Sequence, residues 1–174
     1  MVNDAPKAPK PAGLRIALGA DEWVAAWVRR QIPGLGPFGP CTTMAIVDGR
    51  EIIAGVVYNN YHDDCYGRPH AISISLAATH PRWCSRRTLR TIFAYPFSQL
   101  GVRRLQATVA KKNRRVRKLL EGVGFVLEGK GREAWPDCGD AMFYSMLRHD
   151  ADRWLVPPSA ATAMAGMIEE ASNG

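Results

Sequence analysis

The residues of this sequence that could do chemistry are concentrated in its middle part, and most of them are positively charged. Twelve arginine and lysine residues lie between Arg82 and Lys118, and this segment contains no aspartate or glutamate. Outside it, the 16 acidic residues outnumber the remaining basic ones, so the segment alone makes the net charge +7. Positive charge clustered in this way predicts a polyanionic partner. That partner could be a phosphate-bearing cofactor, a nucleic acid, or both.

A second set of polar side chains lies just before the basic segment. Residues 70–77 alternate between isoleucine or leucine and smaller residues, which predicts a strand with one apolar face. The other face carries Ser73 and Ser75 and could line a cleft, since hydroxyl groups both donate and accept hydrogen bonds. Neither serine has a visible base beside it, so we expect no covalent intermediate on either.

Residues of the kind that bind metals occur at His62, Asp64, Cys65 and His70. Their spacing matches none of the usual zinc patterns, and a solvated polar loop accounts for them better. We therefore expect no metal site, with a hard-metal site at His62 and Asp64 as the alternative.

The bulk composition predicts a single folded domain. The chain has 174 residues, of which 47% are hydrophobic and 22% are charged, as in globular proteins that bury a core. No apolar run approaches the roughly 20 residues that a bilayer span needs. The four cysteines are far apart and the N-terminus lacks a signal peptide's apolar centre, which favours reduced thiols in a cytoplasm and no membrane partner.

The elements that must position these residues follow from periodicity and turn residues. Residues 1–13 predict a flexible basic arm, 14–155 a folded domain, and 156–174 a C-terminal tail or short helix. Within the domain the order is β-α-ββ-β-α-β-α-β-β, which is an α/β mixed sheet of about six or seven strands with helices on both faces. The predicted strands cover residues 14–18, 42–47, 51–59, 70–77, 105–109, 125–127 and 141–147. The predicted helices begin at Asp21 as N-cap, after Pro81 and at Asn113, and Pro96 should kink or end the second.

The segments Phe97-Ser-Gln-Leu-Gly-Val-Arg-Arg-Leu105 and Gly124-Phe-Val-Leu-Glu-Gly129, with Asn113 opening the helix between them, resemble the GNAT acyltransferase superfamily. The similarity covers roughly residues 42–147 and is greatest to the branch of ribosomal-protein alanine acetyltransferases. It implies a central sheet in which two neighbouring strands separate to hold an acyl-CoA donor, acetyl-CoA or another.

The resemblance also implies cofactor-binding residues. Backbone groups at Leu76, Ala77 and Ala78 would pair with the pantetheine arm, and Asn113 would contact the lower part of the cofactor. The family's glycine-rich phosphate loop is replaced by His80-Pro-Arg-Trp-Cys-Ser-Arg-Arg87. Pro81 and Trp83 would narrow the space that glycine leaves open. We therefore expect either that Arg82, Arg86 and Arg87 supply the phosphate contacts instead, or that the donor is bound in an unusual way.

The proton donor of the family is also replaced. Many members carry a tyrosine shortly before the Gly-Phe pair as general acid to the leaving thiolate, and this sequence has Leu120 there. Tyr144, Ser73 and Ser75 are the candidates to replace it, and Asp140 could orient the acceptor amine. Direct transfer to an amine is the reaction implied.

A narrower similarity concerns the segments AGVVYNNYH, SISLAATHPRWCSRRTLRTIFAYPF and GDAMFYSML. They resemble phage-encoded GNAT-like proteins of the Mom type, which modify adenine in DNA, so the acceptor could be a nucleobase. The charge in excess of a cofactor's needs would then bind nucleic acid, at Arg103, Lys111, Lys112, Arg114, Arg115 and Lys118. The alternative is a non-catalytic nucleic-acid-binding domain on a degenerate GNAT scaffold.

Overall fold

The computed structural model describes residues 13–155, and the expected arm and tail lie outside these residues apart from Gly13. Seven strands form one mixed sheet in the order β1-β2-β3-β4-β5-β7-β6. All neighbours are antiparallel except β4 and β5, which are parallel. The strands are β1 (Arg15–Leu18), β2 (Cys41–Asp48), β3 (Glu51–Asp63), β4 (Pro69–Ala78), β5 (Arg104–Ala110), β6 (Val126–Gly131) and β7 (Ala141–Leu147).

Four helices complete the described part of the domain: α1 (Asp21–Gln31), α2 (Arg86–Ala94), α3 (Arg114–Val123) and α4 (Asp152–Leu155). Helix α1 covers one face of the sheet, where Val24 and Val28 pack against Ala45, Val57 and Ala77. The larger core lies on the opposite face, between the sheet and helices α2 and α3. The predicted fold class and element order are therefore confirmed.

Two local predictions were wrong. Asp21 does not cap α1, because its carboxylate accepts hydrogen bonds from the backbone amide and hydroxyl of Thr43 in β2. Strand β3 runs on to Asp63 instead of ending at Asn59. The prediction for Pro96 is confirmed, because α2 ends at Ala94 and the chain continues as a π-helical turn from Tyr95 to Gln99. Proline has no backbone N–H, and a π-helical turn lets the chain stay helical although this donor is missing.

The end of the described chain is fastened to the core by arginine and tryptophan side chains. The guanidinium groups of Arg86 and Arg153 both lie over the ring of Trp154 in α4, with their central carbons 5.6 and 4.9 Å from its centroid. Its indole nitrogen donates to the carbonyl of Val123, and Arg86 donates to the carbonyl of Arg153. Helix α4 therefore closes the core beside α2 and α3.

None of the helices in residues 13–155 is long and apolar enough to cross a membrane. The four cysteines are unpaired, and no group of metal-binding side chains occurs within the same residues.

Helix α1 approaches strand β3 most closely at Gly55. A Cβ atom built there would lie 2.6 Å from a methyl carbon of Val28 and 3.2 Å from the ring of Trp27. The sheet can therefore receive α1 only because this residue has no side chain.

Replacing Gly55 by alanine should destabilise the protein because the added methyl group cannot fit beneath α1. We expect the free energy of unfolding in urea to fall by about 1–3 kcal/mol. The matched control is Gly122→Ala in α3, where the added Cβ meets nothing within 4 Å. That change should raise stability by about 0.5–1 kcal/mol. Equal stability of Gly55→Ala and the native protein would contradict the packing described.

Candidate active site

Strands β4 and β5 pair over only a short stretch and then separate. Their register joins Ala71 to Arg104, Ile72 to Leu105 and Ser73 to Gln106, and no pairing follows. The carboxyl-terminal halves of the two strands diverge, and a cavity of about 470 Å³ opens between them. This is the separation expected from the family resemblance.

One half of the cavity is polar and lies on the α1 side of the sheet. Ser75 pairs with Val57, which packs under α1, so both serines and their cross-strand neighbours Asn59 and Gln106 share that face. The polar lining consists of Asn59, Asn60, Ser73, Ser75, Gln106 and Thr108. Within the described residues, the two serine hydroxyls and the Gln106 amide make no hydrogen bond. These groups are free to meet a ligand.

The other half of the cavity is apolar and lies between helices α2 and α3. It is lined by Ile74, Leu76, Trp83, Leu89, Ile92, Phe93, Val116, Leu119, Leu120, Val123 and Phe125. Helix α3 contributes four of these residues because they recur at helical spacing and so lie on one face of the helix: Val116, Leu119, Leu120 and Val123. The slot therefore runs through the sheet from an apolar to a polar side.

Two loops close the polar side. Phe38, in the loop after α1, accepts a hydrogen bond from the Asn59 side-chain amide at 3.2 Å. Trp135 and Pro136 reach the cavity from the loop between β6 and β7. The loops meet at Gly34, where a Cβ would lie 2.9 Å from that of Pro136 and where φ is +78°. Both the left-handed backbone and the close approach require glycine at this position.

Among residues 13–155, the side chains that line the cavity include no Asp, Glu, Lys, Arg or His. The predicted catalytic serines are therefore present in the cleft, but without a charged partner. This feature constrains any substrate, because a charge entering the cavity would lose hydration without gaining a counter-charge.

Of the three residues expected to pair with pantetheine, only Leu76 lines the cavity. Ala77 and Ala78 pair with Gly55 and Ala54 of β3, and the Ala77 side chain is buried under α1. Asn113 does line the cavity, at the N-terminus of α3, where its side-chain oxygen accepts from the amide of Val116. Asn113 is therefore also the N-cap of α3.

The segment that replaces the glycine loop folds as a 3₁₀ turn at Pro81–Trp83, followed by α2. Its amides at Arg82, Cys84 and Ser85 donate to groups within the loop. Ser85 caps α2 by accepting from the amide of Thr88. Trp83 was expected to narrow the space for a phosphate. Its ring is buried and instead lines the apolar half of the cavity.

The first two amides of α2, at Arg86 and Arg87, have no hydrogen-bond acceptor within the part of the chain that the structure describes. They are the orphan donors that a helix N-terminus offers. The three arginines predicted to bind phosphate differ in their surroundings. Arg82 forms an ion pair with Asp48, and Arg86 is engaged with α4. Arg87 is exposed, and its guanidinium makes no bond to residues 13–155.

The structure does not bring Tyr144 into the cleft, so its predicted role as proton donor lacks the necessary geometry. Its side chain is 1% exposed and lies on the opposite face of β7 from the polar lining. The hydroxyl donates to Glu121 at 2.9 Å and accepts from Nε of Arg117 at 3.2 Å. This hydrogen bond raises the pKa of Arg117. Tyr144 therefore links α3 to the sheet.

Asp140 is also outside the residues that line the cavity. Lys111 donates a hydrogen bond to its carboxylate at 3.0 Å and is the main cause of its lowered pKa, assisted by the amide of Glu133. Lys130 lies 3.4 Å from the same carboxylate. Because Lys111 and Lys130 hold this carboxylate outside the cavity, the structure does not place Asp140 where it would orient an acceptor amine.

The basic segment divides into paired and unpaired side chains. Lys111 and Lys112 are paired with Asp140 and Asp137, and Arg104 is paired with Glu128. Arg103 lies at the start of β5, about 25 Å from the Lys111 end of the strand. The exposed basic side chains of α2 and α3 that form no ion pair within residues 13–155 are Arg86, Arg87, Arg90, Arg114, Arg115 and Lys118, and of these Arg86 donates to the carbonyl of Arg153. Of the residues predicted to bind nucleic acid, Arg103, Arg114, Arg115 and Lys118 thus form no ion pair within residues 13–155, and the last three lie on α3.

Several lining residues were not predicted from the sequence: Leu35, Phe38, Asn59, Asn60, Gln106, Thr108, Trp135 and Pro136. Gln106 and Thr108 had a signal, because they alternate with apolar residues along β5. The loop residues had none, since only the folded chain brings them beside the serines.

Arg86→Ala should destabilise the protein while Arg87→Ala should not, because only Arg86 contacts α4. We expect Arg86→Ala to lower the free energy of unfolding by about 1 kcal/mol, from one hydrogen bond and one cation–π contact. The neighbouring control, Arg87→Ala, should stay within about 0.5 kcal/mol of the native value. Chemical denaturation measures both, and equal losses would contradict these separate roles.

No family model and no curated protein matches this sequence. Solved structures do match. A ribosomal-protein-S5-alanine acetyltransferase from Vibrio fischeri aligns with a TM-score of 0.61 and 17% identity, covering 79% of this chain and 94% of that one. A dodecameric spermidine N-acetyltransferase from Vibrio cholerae aligns with a TM-score of 0.63 and 14% identity, covering 80% and 95%. This protein therefore has the GNAT fold of N-acetyltransferases.

Proposed function

We propose that this protein is an acyl-CoA-dependent N-acyltransferase that transfers the acyl group directly to an amine. The observation that carries this proposal is the cavity between β4 and β5, which is apolar on one side of the sheet and polar on the other. Such a slot can hold a thioester between a donor and an acceptor that enter from opposite sides. Its occurrence on the GNAT fold supports acetyl-CoA or another acyl-CoA as donor.

The residues present fit the two parts of such a donor differently. The apolar half, with Leu76 on one wall and Leu119 on another, suits the pantetheine arm. The free amides of α2 and the unpaired Arg87 suit a phosphate group, because orphan N–H donors and a positive helix end favour anions. Arg82 is the second arginine near this point, although its ion pair with Asp48 would have to be shared. When bound, acyl-CoA supplies an electrophilic thioester carbon.

The chain's own groups would position the reactants and move protons. A new N–C bond forms as the C–S bond breaks, the amine proton passes to water, and the thiolate takes up a proton. Ser73 and Ser75 are the hydroxyls in the cavity that could donate to sulfur, and their proton is replaced from water. A main-chain amide of β4 would polarise the thioester carbonyl.

The donor half of this proposal is tested by binding. Acetyl-CoA at a hundredfold excess over its dissociation constant should stabilise the folded protein by about 2.7 kcal/mol. Thermal unfolding with and without the ligand measures this, with free adenosine as the control. No shift would favour the alternative, a non-catalytic nucleic-acid-binding domain on the same scaffold.

The proton donor is tested in the same samples by following thiol release from acetyl-CoA in the presence of an amine. The double change Ser73→Ala and Ser75→Ala should lower kcat by about 10²-fold or more, the usual contribution of a general acid. Tyr144→Phe should retain activity, because that hydroxyl lies outside the cavity. If Tyr144→Phe lost activity and the serine double variant kept it, Tyr144 would be the proton donor instead.

We further propose a nucleobase in DNA as acceptor, following the similarity to Mom-type proteins. The charge that supports it is the unpaired set on α2 and α3, which flanks the cavity on both sides. Phosphate contacts from such side chains position a protein on DNA whatever its sequence.

The salt dependence of DNA binding should reveal which basic residues take part. Changing Arg114, Arg115 and Lys118 to alanine should reduce the slope of log affinity against log salt by about 0.9 for each phosphate that the variant no longer neutralises. The matched control changes Lys111 and Lys112, which are held by carboxylates, and should reduce the slope less. Fluorescence anisotropy with a labelled duplex measures both slopes, and equal slopes in all variants would exclude this surface.

A further inference from the structure

Two consecutive asparagines reach the polar half of the cavity because β3 is irregular at this point. In a regular strand, neighbouring side chains point to opposite faces. Asn60 has φ of +53°, and the pairing of β3 with β4 shifts between Asn59 and His62. This bulge presents both Asn59 and Asn60 to the cavity. Asparagine tolerates the left-handed backbone better than most residues, which fits its presence there.

The carboxamides of the asparagines lie with that of Gln106, and two aromatic side chains stand near them. Phe38 and Trp135, both half-buried, line the same half of the cavity. Carboxamides can donate and accept at once, so they can bind a ring nitrogen and an amino group together. Aromatic walls favour a flat, apolar ligand body.

The absence of ionisable groups from the wall decides which amines can enter. Glu128 lines an adjoining pocket that shares Gln106 and Thr108 with the cavity, and its carboxylate already accepts from Arg104 and Ser145. Asp140 is bound to Lys111. A protonated alkylamine would therefore lose its hydration without meeting an unpaired counter-charge, and the wall formed by residues 13–155 offers no base to remove its proton. An aromatic amine is uncharged at neutral pH and escapes both costs.

We infer that Asn59, Asn60 and Gln106, with Phe38 and Trp135, form an acceptor subsite for uncharged aromatic amines that excludes protonated alkylamines. The inference rests on the proposed function for the transfer step, but amine recognition itself needs only the cavity. It separates this protein from any enzyme that selects its acceptor by positive charge.

Aniline and benzylamine form a matched pair for the test, since they differ by one methylene and only benzylamine is protonated at pH 7. Ligand-observed NMR measures binding of each to the full-length protein, and mass spectrometry measures acetylated product when acetyl-CoA is added. We expect aniline to bind and react at least tenfold better at pH 7. The benzylamine signal should rise with pH as its free base increases, whereas the aniline signal should not.

Two variants test the subsite itself. Gln106→Glu places a carboxylate in the cavity at nearly constant size and should shift the preference toward benzylamine by tenfold or more. Asn60→Gly keeps the left-handed backbone without strain, removes one carboxamide, and should weaken aniline binding in a folded protein. Circular dichroism verifies that both variants are folded.

The outcomes separate the subsite from the proposed function. The inference would be overturned if benzylamine bound as tightly as aniline at pH 7, or if neither amine bound. Selective aniline binding without acetylation, together with no stabilisation by acetyl-CoA, would retain the subsite and overturn the acyltransferase. Selective binding with acetylation supports both.

Discussion

The arrangement of this protein depends on the parallel pairing of β4 and β5 ending after three residues. Each ladder bond that is not formed leaves backbone donors and acceptors that must be satisfied by water or by a ligand, so such an opening persists only if the surroundings hold it. On one side the buried residues of α2 and α3 pack against the main core and keep the strands apart. On the other, α1 lies across β3 at Gly55 and fixes the adjoining half of the sheet. The cavity is thus a consequence of packing on both faces.

The same packing sorts the basic segment, which is uniform in sequence but not in structure. Side chains near the sheet and its connecting loops meet carboxylates, as Lys111 meets Asp140 and Arg104 meets Glu128. The basic side chains on the outer faces of α2 and α3 point to solvent and meet no carboxylate within residues 13–155. The apolar residues of the same helices face the cavity. The excess positive charge is therefore carried by the helices that flank the slot, where an anionic group on either substrate would pass.

The fold could be predicted largely from the sequence because its signals are local. The hairpin at Asp48-Gly49, the amphipathic stripe of α3 and the glycine at its end, Gly124 with φ of 106°, are each encoded within a few residues. The site was predicted only in part. Ser73, Ser75, Leu76 and Asn113 lie in the cavity, since strand alternation and helix starts place them. Tyr144 lies on the last strand as predicted but does not line the cavity, and nothing in the sequence around Trp135 or Phe38 indicates that their loops meet.

The replacement of the glycine loop and the uncharged cavity have a common physical consequence. A glycine loop binds phosphate through backbone amides, whereas here the loop's amides are largely used internally and Ser85 caps the helix. In the function we propose, a donor phosphate would therefore meet the side-chain charge of Arg87 together with the two free amides at Arg86 and Arg87. Inside the cavity, the polar side chains that residues 13–155 contribute are neutral hydroxyls and carboxamides, so a ligand would be bound there by neutral hydrogen bonds. Charge would bring substrates to the protein, and neutral hydrogen bonding would decide which of them react.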